Sequence, residues 1–162
     1  MPPSLHAGLS TEDHPVAALA LGRVRTDEAR VPSLWWFEVR NTLIVSERRG
    51  RLTESDTATF LHGLARLRVS VDRSPEEADV LALARYRGLR VYDAAYLELA
   101  RREGAPLATL DAALATAARA VLAAVWQTHT GADRGSQHGF VFVTGELMAA
   151  RLDAYLKSHS VR

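Results

Sequence analysis

The sequence predicts an α/β fold of three layers, a mostly parallel central sheet flanked by helices, and three observations carry that expectation. Short apolar strands alternate with amphipathic helices along the chain, an order that implies parallel strands covered on both faces. The 162 residues, 48% hydrophobic and 24% charged, suit one compact domain with a real core. Two aspartates, Asp93 and Asp111, each stand where an apolar stretch hands over to a helix. If the two stretches are neighbouring parallel strands, both carboxylates project at the sheet edge where open α/β folds bind ligands.

Taken in order, residues 1–11 have no period and read as coil. From Thr11 or Glu12 to Glu28, the positions Val16, Leu19, Ala20 and Val24 follow a helical spacing, with acidic residues in the first turn as the macrodipole favours. Ala29 to Leu34 is a short strand ended by Pro32 and Ser33, and Trp35 to Arg49 a helix. Glu38, Asn41 and Thr42 share one face of that helix; beside Trp36 and Phe37, Glu38 taken alone reads as a solvated residue. The segment ERRGR at 47–51 closes the helix at Gly50 and leaves Arg48, Arg49 and Arg51 on an exposed basic turn.

Thr53 to Leu67 is a core-facing helix with Phe60, Leu61, Leu64 and Leu67 at helical spacing. Arg68 to Asp72 alternates as a strand, and Ser74-Pro75-Glu76-Glu77 opens a helix that runs to Gly88. The segment LRVYDAAYLELARREGAPLATLDAAL then reads as a strand (Leu89 to Tyr92), Asp93 at a helix start, an amphipathic helix, a second strand (Pro106 to Leu110) and Asp111 at another helix start. Aspartate is a favoured N-cap, so each also has a purely local reading; a cap can still be a ligand. Val121 to Trp126 makes a last strand. The expected organisation is a domain over 12–126, a polar linker over 127–138, and a strand-helix appendage over 139–162.

Two blocks, VPSLWWFEVRNTLIVSERRGRLT and YDAAYLELARREGAPLATLDAAL, closely resemble the PIN-domain ribonucleases, specifically VapC-type toxins of bacterial toxin–antitoxin pairs. The resemblance runs from about Glu12 to Val125. It implies a PIN-like fold and a metal-dependent endoribonuclease in which Glu38, Asp93 and Asp111 are catalytic ligands of Mg²⁺ or Mn²⁺. It further implies that Asn41 and Thr109 orient those ligands, and that the partners are an RNA substrate and a small VapB-like antitoxin, with a homodimer left open. Arg48, Arg49 and Arg51 are the candidates for RNA or antitoxin contact.

The resemblance is incomplete at both ends. The family's first strand, in the middle of its sheet, carries the first catalytic aspartate, whereas MPPSLHAGLS has two prolines and no aspartate after an apolar run. The alternative reading is therefore a catalytically silent PIN-like domain acting as an antitoxin- or self-binding module. The segment FVFVTGELMAARLDAYLKSHSVR resembles the opening strand and first helix of ribbon-helix-helix antitoxins, without their second helix. A different placement inserts Phe140 to Thr144 where the absent first strand belongs, with Glu146 as the nearest carboxylate.

Other chemistries find little support. The absence of cysteine excludes disulfides, thiolate catalysis and a Cys-based zinc site. The six histidines show no HExxH or HxH spacing, and neither a glycine-rich phosphate loop nor a GxSxG elbow occurs. Apolar runs fall short of the roughly 20 residues of a membrane span, and the first residues lack a signal-peptide pattern, so a cytoplasmic protein is expected. A net charge of +1 means that RNA must be met by local basic patches.

Overall fold

A computed structural model of the chain describes residues 28–109, 111–122, 125–126 and 140–142. The expected helix before Glu28, the whole 127–138 linker region, Glu146 and the tail helix lie outside the described residues. Five strands form one sheet: β1 (Ala29–Pro32), β2 (Val69–Asp72), β3 (Leu107–Ala108), β4 (Val125–Trp126) and β5 (Phe140–Phe142). Their order is β2-β1-β5-β3-β4, and every pairing is parallel. The α/β class expected from alternating strands and helices is the class observed.

The centre of this sheet is filled from the far end of the chain. Arg30 of β1 and Leu107 of β3 both pair with Val141 of β5, so β1 and β3 are joined only through that strand. Of the two positions the sequence leaves open for Phe140 onward, appendage or inserted strand, the pairing is that of the inserted strand. Its parallel direction also fixes polarity: Pro32, Asp72, Ala108 and Phe142 all end their strands at one common edge.

Five helices accompany the strands among the described residues: α1 (Leu34–Arg48), α2 (Glu54–Leu64), α3 (Glu77–Arg87), α4 (Val91–Arg102) and α5 (Ala112–Arg119). The sequence places their starts well where a cap exists. At α2 the Thr53 hydroxyl accepts from the Asp56 amide while the Asp56 carboxylate accepts from the Thr53 amide, a reciprocal capping box. Gly88 stops α3 in the left-handed conformation, φ 64°, where a β-carbon would be strained.

One expected strand is absent. Leu89 to Tyr92 does not extend; Arg90 is the N-cap of α4, and the Ala94 amide donates to the Arg90 carbonyl to close the first turn. Val91 and Tyr92 are 52% and 65% exposed. Their apolar character misleads, because a short apolar run next to a helix start fits a strand or an exposed first turn equally well.

Helix α4 is the core of the molecule. Seven consecutive residues, Ala94 to Ala100, are buried, so the helix is covered all round rather than along one stripe. It packs on β1, β3 and β5 and lies against α3 and α5, with Val80, Leu83, Leu97, Leu107 and Leu114 in one apolar cluster. Burying a side chain such as Leu97 is worth about 1.5–3 kcal/mol. At its C-terminal end, Glu98, 1% exposed, is paired by Arg102, which also reaches Asp72 and Glu103; Arg30 of β1 in turn pairs with Glu103. The hydrogen bond to Glu98 is the chief reason the Arg102 pKa is raised above its ordinary value.

Candidate active site

Helix α1 begins directly after β1 leaves the sheet, which puts Glu38, in its second turn, above the edge where the strands end. Asp111 follows β3 at the same edge. Because β5 separates β1 from β3, the strand ends from which these two segments depart stand about 10 Å apart, two strand spacings. Asp93 reaches the region differently. It is the third residue of α4, where a carboxylate faces the positive end of the helix dipole, rather than a residue at a strand end. Asp93 and Asp111 are therefore not equivalent positions, as the sequence suggests they should be.

What joins Glu38 to α4 is Tyr96. Its hydroxyl donates to Glu38 Oε2 at 2.5 Å, a short hydrogen bond between residues 58 apart in sequence. Tyr96 is 1% exposed and sits three residues after Asp93, one helical turn along the same face. The two helices that carry Glu38 and Asp93 thus meet at this bond. In the sequence Tyr96 looks like one more apolar position of a core helix; the usable signal is that a buried tyrosine usually needs a partner for its hydroxyl.

The other acids are held by neutral or exposed donors. Asp93 accepts from Arg90 Nε at 2.9 Å, the Arg90 side chain being 76% exposed and that of Asp93 16%. Asp111 is the N-cap of α5, its Oδ1 accepting from the Leu114 amide at 2.7 Å. Thr109, fully buried, accepts from the Asp111 amide through Oγ1 at 3.1 Å and so fixes the backbone from which that carboxylate projects. Asn41 is exposed on α1, one turn after Glu38.

Arg48, Arg49 and Arg51 are exposed at the opposite end of α1. Ten residues separate Glu38 from Arg48, about 15 Å of helix, so the basic turn is not beside the acids. Closer to them is an exposed aromatic pair: Trp36 and Phe37 meet edge to face with centroids 5.1 Å apart, and the Arg40 guanidinium lies 4.2 Å over the Trp36 ring. Carboxylate oxygens are the donors that hard divalent cations such as Mg²⁺ prefer. Among the described residues, however, no three His, Cys, Asp or Glu side chains come close enough to form a ready metal site.

Comparison with known proteins agrees with this architecture. The PIN domain model matches residues 5–120. Among curated proteins, the chain is 40% identical over 82 residues to Ribonuclease VapC3 of Pyrobaculum aerophilum, a stretch that covers 49% of this chain and 63% of that protein. The chain therefore matches less than two thirds of that relative's length. No solved structure matches. With most of its length matched by that model and a parallel α/β sheet to accompany it, the chain belongs to the PIN-domain family.

Proposed function

We propose that this protein is an endoribonuclease toxin of the VapC type, hydrolysing RNA phosphodiesters with a divalent cation held by Glu38 and Asp93, with Asp111 contributing directly or through water. The observation that supports the reading is the Tyr96–Glu38 bond, which joins the α1 glutamate to the helical turn that follows Asp93. Similarity to a protein called a ribonuclease supports the substrate class.

The donor set suits Mg²⁺ or Mn²⁺ in kind, since Mg²⁺ is often held by one or two carboxylates completed by water and substrate phosphate. The chemistry such an ion supplies is polarisation of the phosphoryl oxygen and activation of a water. The residues of the chain then divide the remaining work. Thr109 fixes the backbone of Asp111, and Arg48, Arg49 and Arg51 bind either a distant part of the RNA backbone or a small VapB-like antitoxin. A homodimer and a cytoplasmic location belong to the same reading; among the described residues no helix is long and apolar enough to cross a membrane.

The test is cleavage of RNA by the purified chain with and without Mg²⁺ or Mn²⁺. Cleavage should require the ion and fall at least about 100-fold in Glu38→Gln or Asp93→Asn, more than is usual for removing a group behind a ligand. Metal-independent cleavage, or cleavage indifferent to both substitutions, would falsify the reading.

A second reading has one observation in its favour, the lack of a three-residue metal cluster among the described residues. In it the chain is a silent PIN-like module that binds an antitoxin or itself. Calorimetry separates the two: a silent module binds antitoxin but gives no Mn²⁺ heat that disappears with Glu38→Gln.

A further inference from the structure

The strongest unassigned feature is the buried phenol that links the two acidic helices. We propose that Tyr96 is a positioning residue whose hydroxyl sets the orientation of the Glu38 carboxylate; this rests on the nuclease reading above. The Tyr96 ring is 1% exposed and clamped in the apolar cluster with Leu97, Leu99 and Leu107, so its hydroxyl is fixed in place by the core rather than by solvent. Glu38 is only partly buried on a different helix, and its side chain has several rotatable bonds. A donor held rigidly by the core constrains where a rotatable acceptor points. Because the phenol is neutral, this bond orients the carboxylate without supplying a countercharge, unlike the arginine that pairs with Glu98.

The spacing adds to the argument. Tyr96 is one turn beyond Asp93, so the same helix that presents one acid also carries the donor that aligns the other. Any rotation or slip of α4 would move both together. Tyr96 thereby couples the relative placement of Glu38 and Asp93, which come from segments 55 residues apart in sequence, to the packing of the core.

The experiment is a double-mutant cycle with Tyr96→Phe, which keeps the ring, and Glu38→Gln, each measured alone and together. Three readouts are taken: melting temperature, Mn²⁺ affinity by calorimetry, and kcat and KM for RNA cleavage. Tyr96→Phe should remain folded, weaken Mn²⁺ binding and kcat by about 10-fold or more, leave KM nearly unchanged, and have no further effect once Glu38 is Gln. Equal loss from Tyr96→Phe with and without Glu38 overturns the proposal, as does a melting temperature lowered to the assay temperature, because fold maintenance then explains any loss. If Glu38→Gln itself changes neither metal binding nor cleavage, the nuclease reading fails first; if it abolishes both while Tyr96→Phe changes neither, only the role of Tyr96 fails.

Discussion

The two ends of helix α4 hold their carboxylates in opposite ways. At the C-terminal end Glu98 is buried and answered by Arg102, which also binds Asp72 and Glu103, while Arg30 completes the chain of charges. At the N-terminal end the acids meet a phenol at Glu38, a backbone amide at Asp111, and one arginine at Asp93 that is 76% exposed. Charge at the first end is neutralised by cations and ties helix to sheet; at the second, the phenol at Glu38 and the amide at Asp111 are neutral donors and the arginine at Asp93 is solvated. The contrast separates acidic residues held by cations, as at Glu98, from acidic residues held mainly by neutral or solvated donors, the set proposed above to hold a cation.

The largest effect should come from removing the floor beneath both ends. Val141→Pro takes a backbone donor out of the central strand between β1 and β3. The lost donor costs about 1–3 kcal/mol and the ring clash in the middle strand adds to it, so the loss should reach at least about 3 kcal/mol, a large share of the roughly 5–15 kcal/mol of an ordinary domain. A chemical-denaturation midpoint unchanged by that substitution would show that β5 does not hold the sheet together.

Next in size is the C-terminal end. Arg102→Ala leaves Glu98 buried without its cation, and about 3 kcal/mol of stability should be lost, the low end of the range for breaking a buried pair because Arg102 is itself partly exposed. Replacing the pair with Arg102→Met and Glu98→Leu together should recover most of it. The pH dependence carries a sign: since the pairing raises the Arg102 pKa, its contribution is complete below the ordinary arginine range and is lost only as pH rises through the higher folded value. Melting curves of wild type and Arg102→Ala should stay separated by the same gap from neutral into mildly alkaline buffer, and a gap that closes there contradicts the pairing.

The smallest effect distinguishes cap from ligand. Asp111→Ala removes the acceptor for the Leu114 amide and should cost about 1 kcal/mol, whereas Asp111→Asn, an equally good cap, should cost almost nothing. Activity should follow the opposite logic and fall in both variants. If Asp111→Asn keeps full cleavage, Asp111 is a cap and nothing more.

Local chemistry explains what could be read in advance. Thr53 with Asp56, Gly88 after Arg87, and the β-branched residues of VSVD announce themselves through backbone preferences that need no distant partner. Asp111 was legible for the same reason, as a polar cap after an apolar strand with Thr109 behind it. The strand expected at Leu89 to Tyr92 fails because four residues, one of them Arg90, carry no period of their own, and the exposure of Val91 and Tyr92 depends on how α4 docks. The Tyr96–Glu38 bond is not legible in the sequence, because its two residues lie 58 positions apart and nothing local links them.

From sequence alone came the α/β class and the presence and approximate places of the described helices, consequences of hydrophobic period and capping within a few residues. Tertiary structure decided two things: that the strand at Phe140–Phe142 occupies the middle of the sheet, and that a buried phenol reaches Glu38. Both are contacts between segments far apart along the chain. A strand or a tyrosine looks the same in sequence whichever neighbour it finally meets, because backbone donors and a phenol hydroxyl bind any acceptor that packing brings within reach.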